Sequence, residues 1–440
     1  MMKKLTVLLL MCAMLGPAAF ALGGKEDDNT PITLVMWTHE DPNRQKLEEA
    51  WAAEYMAQHP NVTIRYSVYP STKIQDLIPT AYAAKNAPSI WNLELQKAYP
   101  LLAQGLVAPV IPEALGLKSD ADIIAQYMPH MLDPVTDKDG SLLGKKGKVY
   151  GLPFELQNWC MYLNKKIFRD VGLDPEKDYP KTWEDVMAVS EKIVKRNGDI
   201  ITRRGFDFRY GDYLISWVPM VSQLGGAVVS ADGKEAIVNT AAWEKALEYM
   251  RQWGPNGKNL GAPTYTAARK VFDNDKNEIA MHLSGLYQEA RMLKANPDFY
   301  NSKDWMIIPY PVFKGGKNIS NCYYFQYYMV NSQISEREQR EAWKFVAFLL
   351  SHPTVYLEKV ALIAPKKELV ESEQFKKIPY SNVYIEDLKR AKPVYFGAAS
   401  WQINELIKEA IENVMMNNVS PKDAVAKLKK STQALLDESL

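Results

Sequence analysis

The chain has 440 residues, 47% of them hydrophobic, with 53 lysines and arginines against 52 aspartates and glutamates. That balance excludes a partner recognised mainly by charge, such as nucleic acid or an anionic lipid surface. The length exceeds what one hydrophobic core serves, so two domains are expected. Met1, Met2, Lys3 and Lys4 precede an apolar stretch from Leu5 to Leu15 and the small-residue site Ala19-Phe20-Ala21, the pattern of a signal peptide over residues 1-21. The mature chain would begin near Leu22. The apolar stretch is shorter than the roughly 20 residues of a membrane span. Cys12 follows Met11 inside that stretch, whereas a lipoprotein anchor needs a cysteine after a small residue at its end. A free periplasmic protein is therefore expected. Loss of Lys3 and Lys4 takes the basic count from 53 to 51 against 52 acids, with no single-sign block. Cys160 and Cys322 would remain. An oxidising compartment allows a bridge between them, but two isolated cysteines read first as small buried apolar residues, and no zinc spacing is present.

Ile32 to Trp37 is apolar and β-branched, and Asp41-Pro42 then supplies an N-cap with proline at the first helical position. Leu47, Trp51 and Tyr55 share a helical face, His59-Pro60 stops that helix, and Val62, Ile64 and Tyr66 alternate as a strand. This βαβ opening implies a parallel sheet covered by helices. A polar stretch from Asp133 to Lys148 reads as a loop, before strands at Val149 to Phe154 and Trp159 to Leu163. Within it, Asp137-Lys138-Asp139-Gly140 lacks the flanking ligands of a calcium loop and reads as a turn. Thr182 with Asp185, Ser335 with Glu338 and Ser420 with Asp423 have capping-box spacing. Each opens an amphipathic helix. Trp51, Trp243 and Trp343 fall on the apolar faces of helices, and Trp159 alternates with packing residues in a strand, so these four are expected in the core. The fold class is α/β.

A dinucleotide fingerprint, a P-loop, a Gly-x-Ser-x-Gly elbow and a His-Glu-x-x-His helix are all absent. Five histidines offer few general bases. Glu94 and Glu155 could act as a carboxylate pair on a glycoside, or could hold sugar hydroxyls without reacting, since an ionised carboxylate accepts two hydroxyl hydrogen bonds at once. The 11 Trp, 24 Tyr and 13 Phe, several beside polar residues at strand ends, suit a pyranose, whose C–H face stacks on an aromatic ring while polar side chains take its hydroxyls.

Ile32–Thr38 (ITLVMWT), Gln58–Ile64 (QHPNVTI), Ala87–Leu93 (APSIWNL) and Leu102–Pro109 resemble, in order, the opening of the family-1 extracellular solute-binding proteins, the sugar receptors of bacterial ABC importers that include maltose-binding proteins. The most specific block is Gly147–Asn164 (GKVYGLPFELQNWCMYLN), followed by the Lys181-Thr182-Trp183 helix start. Leu224-Gly225-Gly226, Ile279–Gly285 (IAMHLSG) and Ala342-Trp343-Lys344-Phe345 extend the likeness over nearly the whole mature chain.

The resemblance implies a type II periplasmic-binding-protein fold with discontinuous lobes, 22-153 plus 314-362 and 155-308 plus 366-440, joined near Pro153–Glu155, Pro309–Phe313 and Ile363–Lys367. It implies a carbohydrate ligand in the interlobe cleft, closure by hinge motion, permease subunits as partners, a monomer, and no catalytic residue, metal or cofactor. Carried over by position, the ligand contacts are Trp37, His39, Glu40 and Asp41 after the first strand, and Trp91 and Glu94 on the strand after Ala87-Pro88. Gln157 and Asn158 follow at the Leu-Pro crossing, Tyr287 after Ser284-Gly285, and Trp401 and Glu405 at a late helix start; Asp212 and Tyr324 complete the set. Of the tyrosine-rich strand from Tyr323 to Tyr328, at most half can face a cleft, because alternate residues point to opposite sides. Amides at Gln157 and Asn158, Leu286-Tyr287 in place of Pro-Trp, and an acid at Glu405 depart from the maltose receptors and argue against maltose itself. A secreted carbohydrate-active enzyme, or a receptor for a non-sugar solute such as a polyol phosphate bound by Arg203, Arg204 or Arg209, stands as the alternative.

Overall fold

The computed structural model describes residues 30–137, 143, 146–208, 213–238, 240–322 and 324–439. The signal-peptide reading over residues 1–21 and most of the Asp137 to Gly140 turn lie outside the described residues. Among the described residues twelve strands occur: β1 (Ile32–His39), β2 (Val62–Tyr69), β3 (Ile90–Glu94), β4 (Leu152–Gln157), β5 (Cys160–Asn164), β6 (Lys195–Asn197), β7 (Ile200–Phe206), β8 (Ile279–Ser284), β9 (Trp305–Ile308), β10 (Ser320–Cys322), β11 (Tyr324–Val330) and β12 (Ala391–Pro393).

They form two five-stranded sheets, ordered β2-β1-β3-β11-β4 and β6-β7-β8-β5-β9, and a short β10-β12 ladder. In the first sheet β1 runs parallel to β2 and β3, while β11 returns late in the chain and runs antiparallel to both β3 and β4. In the second, β5 is antiparallel to β8 and β9, and β7 is parallel to β8. Each sheet has its own core of buried aliphatic and aromatic side chains. This is the two-lobed α/β architecture of a type II binding protein, seen here as two covered sheets that share one chain.

The helices follow from local chemistry. Asp41 caps the helix Pro42–Gln58, its carboxylate accepting from the Asn43 and Arg44 N–H groups at 3.0 and 3.1 Å, with Pro42 at the position where a missing N–H costs nothing. Thr182 with Asp185 and Ser335 with Glu338 form reciprocal capping boxes. Trp51, Trp159, Trp243 and Trp343 are buried.

The chain passes between the sheets through short, tied segments. Only Asn158 and Trp159 separate β4 from β5. The Trp159 N–H donates to Asn321 Oδ1 at 3.0 Å and Asn321 Nδ2 donates back to the Trp159 carbonyl at 2.6 Å, so one side chain substitutes for a strand and binds the first crossing to β10 on the second. A third segment is held where the Leu156 N–H donates to the Ile363 carbonyl at 3.0 Å. Cys160 and Cys322 are both buried free thiols, so they are the small apolar residues that their isolation suggested.

Inside the first lobe, Arg44 and Glu48 face each other at 3.8 Å with side chains 1% and 0% exposed. Glu48 accepts hydrogen bonds from Tyr66 at 2.6 Å, from Tyr356 at 2.9 Å and from Tyr328, while Arg44 donates to the His39 carbonyl and lies over the Phe154 ring. A buried charge is tolerable only when its lone pairs are satisfied in this way. Glu48→Ala leaves Arg44 buried without its nearest counter-charge and removes the carboxylate on which three hydroxyls converge. Urea unfolding should show a loss of about 3–5 kcal/mol, and a loss below about 1 kcal/mol would mean that the cluster is not the keystone of this lobe.

Candidate functional site

The polar side chains of the first lobe gather at one end of its sheet. Gln326 on β11 stands directly between Glu94 on β3 and Glu155 on β4, so three polar residues share one row across adjacent strands. One step along β3, Asn92 donates from Nδ2 to Gln326 Oε1 at 3.1 Å and to His39 Nδ1 at 2.7 Å, while the His39 N–H donates to Asn92 Oδ1 at 3.2 Å. With Nδ1 accepting, the His39 proton sits on Nε2. Burial first, and the Arg44 charge second, hold the imidazole well below its ordinary pKa, against the smaller opposing effect of the Asn92 bond, so His39 is neutral. A shallow depression is lined here by His39, Ser71, Gln75, Glu94, Lys97 and Gln326, among others.

The helix Leu95–Ala103 starts immediately after Glu94 and faces the helix Ser400–Met416 of the second lobe. Trp401, in the first turn of the latter, is 44% exposed, an unusual state for an indole. The Lys97 ammonium lies 3.5 Å from the centroid of its ring. Asn404 Nδ2 donates to Gln96 Oε1, and Tyr99 stacks on Tyr395 at 6.1 Å.

Of the residues expected at the site, His39 and Glu94 line this depression, and Trp401 stands over Lys97 at its edge. Glu405 is exposed one turn beyond Trp401, 4.0 Å from Lys408. Tyr287 is half-buried at the start of the second-lobe helix Tyr287–Ala295, Glu40 is exposed, and Trp37 is half-buried against Tyr69 with ring centroids 5.1 Å apart. Asp212 lies outside the described residues, as do the side chains of Gln157 and Tyr324.

Two expectations are corrected. Trp91 is 0% exposed and donates from Nε1 to Tyr82 at 2.9 Å, because β3 is an interior strand covered on both faces. Asn158 is buried in the crossing, donating to the Tyr384 carbonyl at 3.2 Å. Asp41 is half-buried, with its Oδ1 capping the helix Pro42–Gln58. Sequence reasoning missed Asn92, Lys97 and Gln326. The two amides had a signal: each is a lone polar residue inside an otherwise apolar strand, IWNLE and YFQYYMV.

The sequence profile of the family described as bacterial extracellular solute-binding protein matches residues 50–380. The chain belongs to that family. This solute-binding protein is 25% identical over 303 residues to an arabinooligosaccharide-binding protein of Halalkalibacterium halodurans, a match covering 66% of this chain and 61% of that relative. It is 21% identical over 390 residues to a maltotriose-binding protein of Pyrococcus abyssi, covering 86% of this chain and 78% of the other. Among solved structures, the sugar-binding protein MalE from Xanthomonas citri superposes with a TM-score of 0.76 at 17% identity, covering 92% of this chain and 98% of that one. Members of this family bind solutes. The arrangement here fits that chemistry: a carboxylate backed by buried amides on one lobe, and an accessible indole on the other.

Among the described residues, no group of three His, Cys, Asp or Glu could hold a metal ion, and no helix is long and apolar enough to cross a membrane. Glu289, in the second-lobe helix Tyr287–Ala295, is an ionisable group with an altered proton affinity. Burial pushes Glu289, two residues beyond Tyr287, from its reference value of 4.5 up to about 7, against the smaller opposing pull of Lys303, and its Oε1 has no hydrogen-bond partner. The folded protein therefore holds this proton more tightly than the unfolded chain. The resulting stabilisation is complete below about pH 4.5 and is lost as pH rises through about 7. Glu289→Gln should unfold at a higher temperature than the parent at pH 8, with little difference at pH 4.5. An equal shift at both values would assign the effect to packing instead of charge.

Proposed function

We propose that this protein captures a mono- or oligosaccharide in the cleft between its lobes and delivers it unchanged to the permease subunits of an ABC importer, working as a free periplasmic monomer. The observation that carries the reading is the accessible Trp401 indole on one lobe opposite Glu94 and Gln326 on the other, which the buried Asn92 helps to position. A pyranose is amphipathic in the same sense, with a C–H face for the ring and hydroxyls for the polar side chains. The ligand bridges both lobes, and only an interaction made more strongly in the closed form can shift the chain toward it. The relatives named for arabino-oligosaccharides and maltotriose support this ligand class. Trp37, Glu40, Tyr287 and Glu405, together with Asp212, Gln157 and Tyr324, are proposed as further contacts, and the links at Asn158-Trp159, between β9 and β10, and near Ile363 as the hinge; the expected crossing at 153–155 falls inside β4, so the first link lies a few residues later.

The enzyme reading is weaker on geometry. Glu94 and Glu155 are two strand spacings apart, about 9.6 Å by the spacing of paired strands, with Gln326 between them. Glu155 is 7% exposed, which leaves little of it open to a substrate. A phosphate reading loses two of its three arginines, since Arg203 is bonded to Glu278 and Asp170 and Arg204 to Asp207. Thermal unfolding against a panel of sugars, polyol phosphates and peptides, with product analysis, separates the readings. One sugar class should raise the midpoint and be recovered intact. Trp401→Ala should weaken that sugar about tenfold, on the order of 1.4 kcal/mol. Recovery of cleaved sugar would overturn the reading in favour of a hydrolase.

A further inference from the structure

We propose that Lys97 is an internal competitor for the Trp401 ring, holding the two lobes together across the cleft edge and covering the aromatic face until a ligand displaces it. The inference rests on the reading of Trp401 as the ligand platform, but the contact itself is independent of any ligand. Lys97 belongs to the first lobe and Trp401 to the second, and the ammonium stands 3.5 Å from the ring centroid. This is the position from which a cation is attracted by the negative face of an indole. The contact does not stand alone. One residue away Gln96 accepts from Asn404, so the helices Leu95–Ala103 and Ser400–Met416 meet along a seam.

Lys97 is also confined where it lies. Partial burial disfavours its charge, and Glu94 at the start of its own helix, Asp76 on the neighbouring helix Ser71–Ala83 and Glu405 beside Trp401 offset part of that cost. Acids on both lobes therefore hold the ammonium over the ring. A sugar cannot stack on that face while the ammonium covers it. Displacing Lys97 opens the platform at a free-energy cost that lowers affinity, and Lys97 is thereby an affinity-setting residue that need not touch the ligand.

Two measurements on the ligand-free protein test this. Hydroxyl-radical footprinting with peptide-level mass spectrometry reads the coverage of Trp401, and small-angle scattering reads lobe separation. Lys97→Ala should raise the oxidation rate of Trp401 severalfold and increase the radius of gyration. Lys97→Arg, whose guanidinium also stacks on aromatic faces, should leave both near the parent values. Trp401→Leu should expand the particle like Lys97→Ala, and the double variant should expand it no further. Unchanged oxidation and scattering in Lys97→Ala, or equal changes in Lys97→Arg, would overturn the proposal. If the Lys97 results hold while Trp401→Ala binds every tested sugar as the parent does, the seam stands and the ligand platform lies elsewhere.

Discussion

The first sheet cannot be completed by the first part of the chain. β3 and β4 lie one strand apart, and the strand between them, β11, arrives only after the whole second sheet has been laid down. Everything else follows from that insertion. The chain must leave the first lobe, build the second and return, which forces multiple crossings, and multiple crossings permit hinge-like bending while resisting free rotation. The insertion also assembles the polar row, since Gln326 comes from β11 while Glu94 and Glu155 come from the strands on either side.

The crossings are short and bonded to one another. Asn321 exchanges two hydrogen bonds with Trp159, and so couples β10 to the Asn158-Trp159 link without a regular ladder between them. Such a connection can pivot, because a side-chain amide adjusts its dihedrals more readily than a paired strand. Behind the row, the Arg44–Glu48 cluster fixes the opposite property. Three tyrosines from β2, β11 and the helix Pro353–Val360 converge on one carboxylate, so the end of the sheet that presents His39 is rigid. A rigid wall beside a compliant link suits a protein that must recognise a shape and then close over it.

Much of this was legible from residue order. Asp41-Pro42, Thr182 with Asp185, and Ser335 with Glu338 announced their helices because a cap is a local bargain between a side chain and the next three N–H groups. Resemblance to a family points to His39, Glu94 and Trp401, which meet around one depression and its edge. What failed depended on tertiary context. Trp91 sits in a strand with covered faces, where alternation carries no information about which side meets a cleft. Lys97 looks like any solvated helical lysine until the helix of the other lobe is brought against it, and nothing within ten residues of it encodes Trp401.

The late arrival of β11 also has a temporal consequence. During synthesis the first lobe lacks its interior strand until about residue 330 has emerged, so roughly three quarters of the polypeptide exists before the amino-terminal half can fold. Pairings of such long sequence separation form slowly. For a member of an extracellular family that slowness is useful, since a chain destined for a narrow secretion channel must stay unfolded until it has passed through.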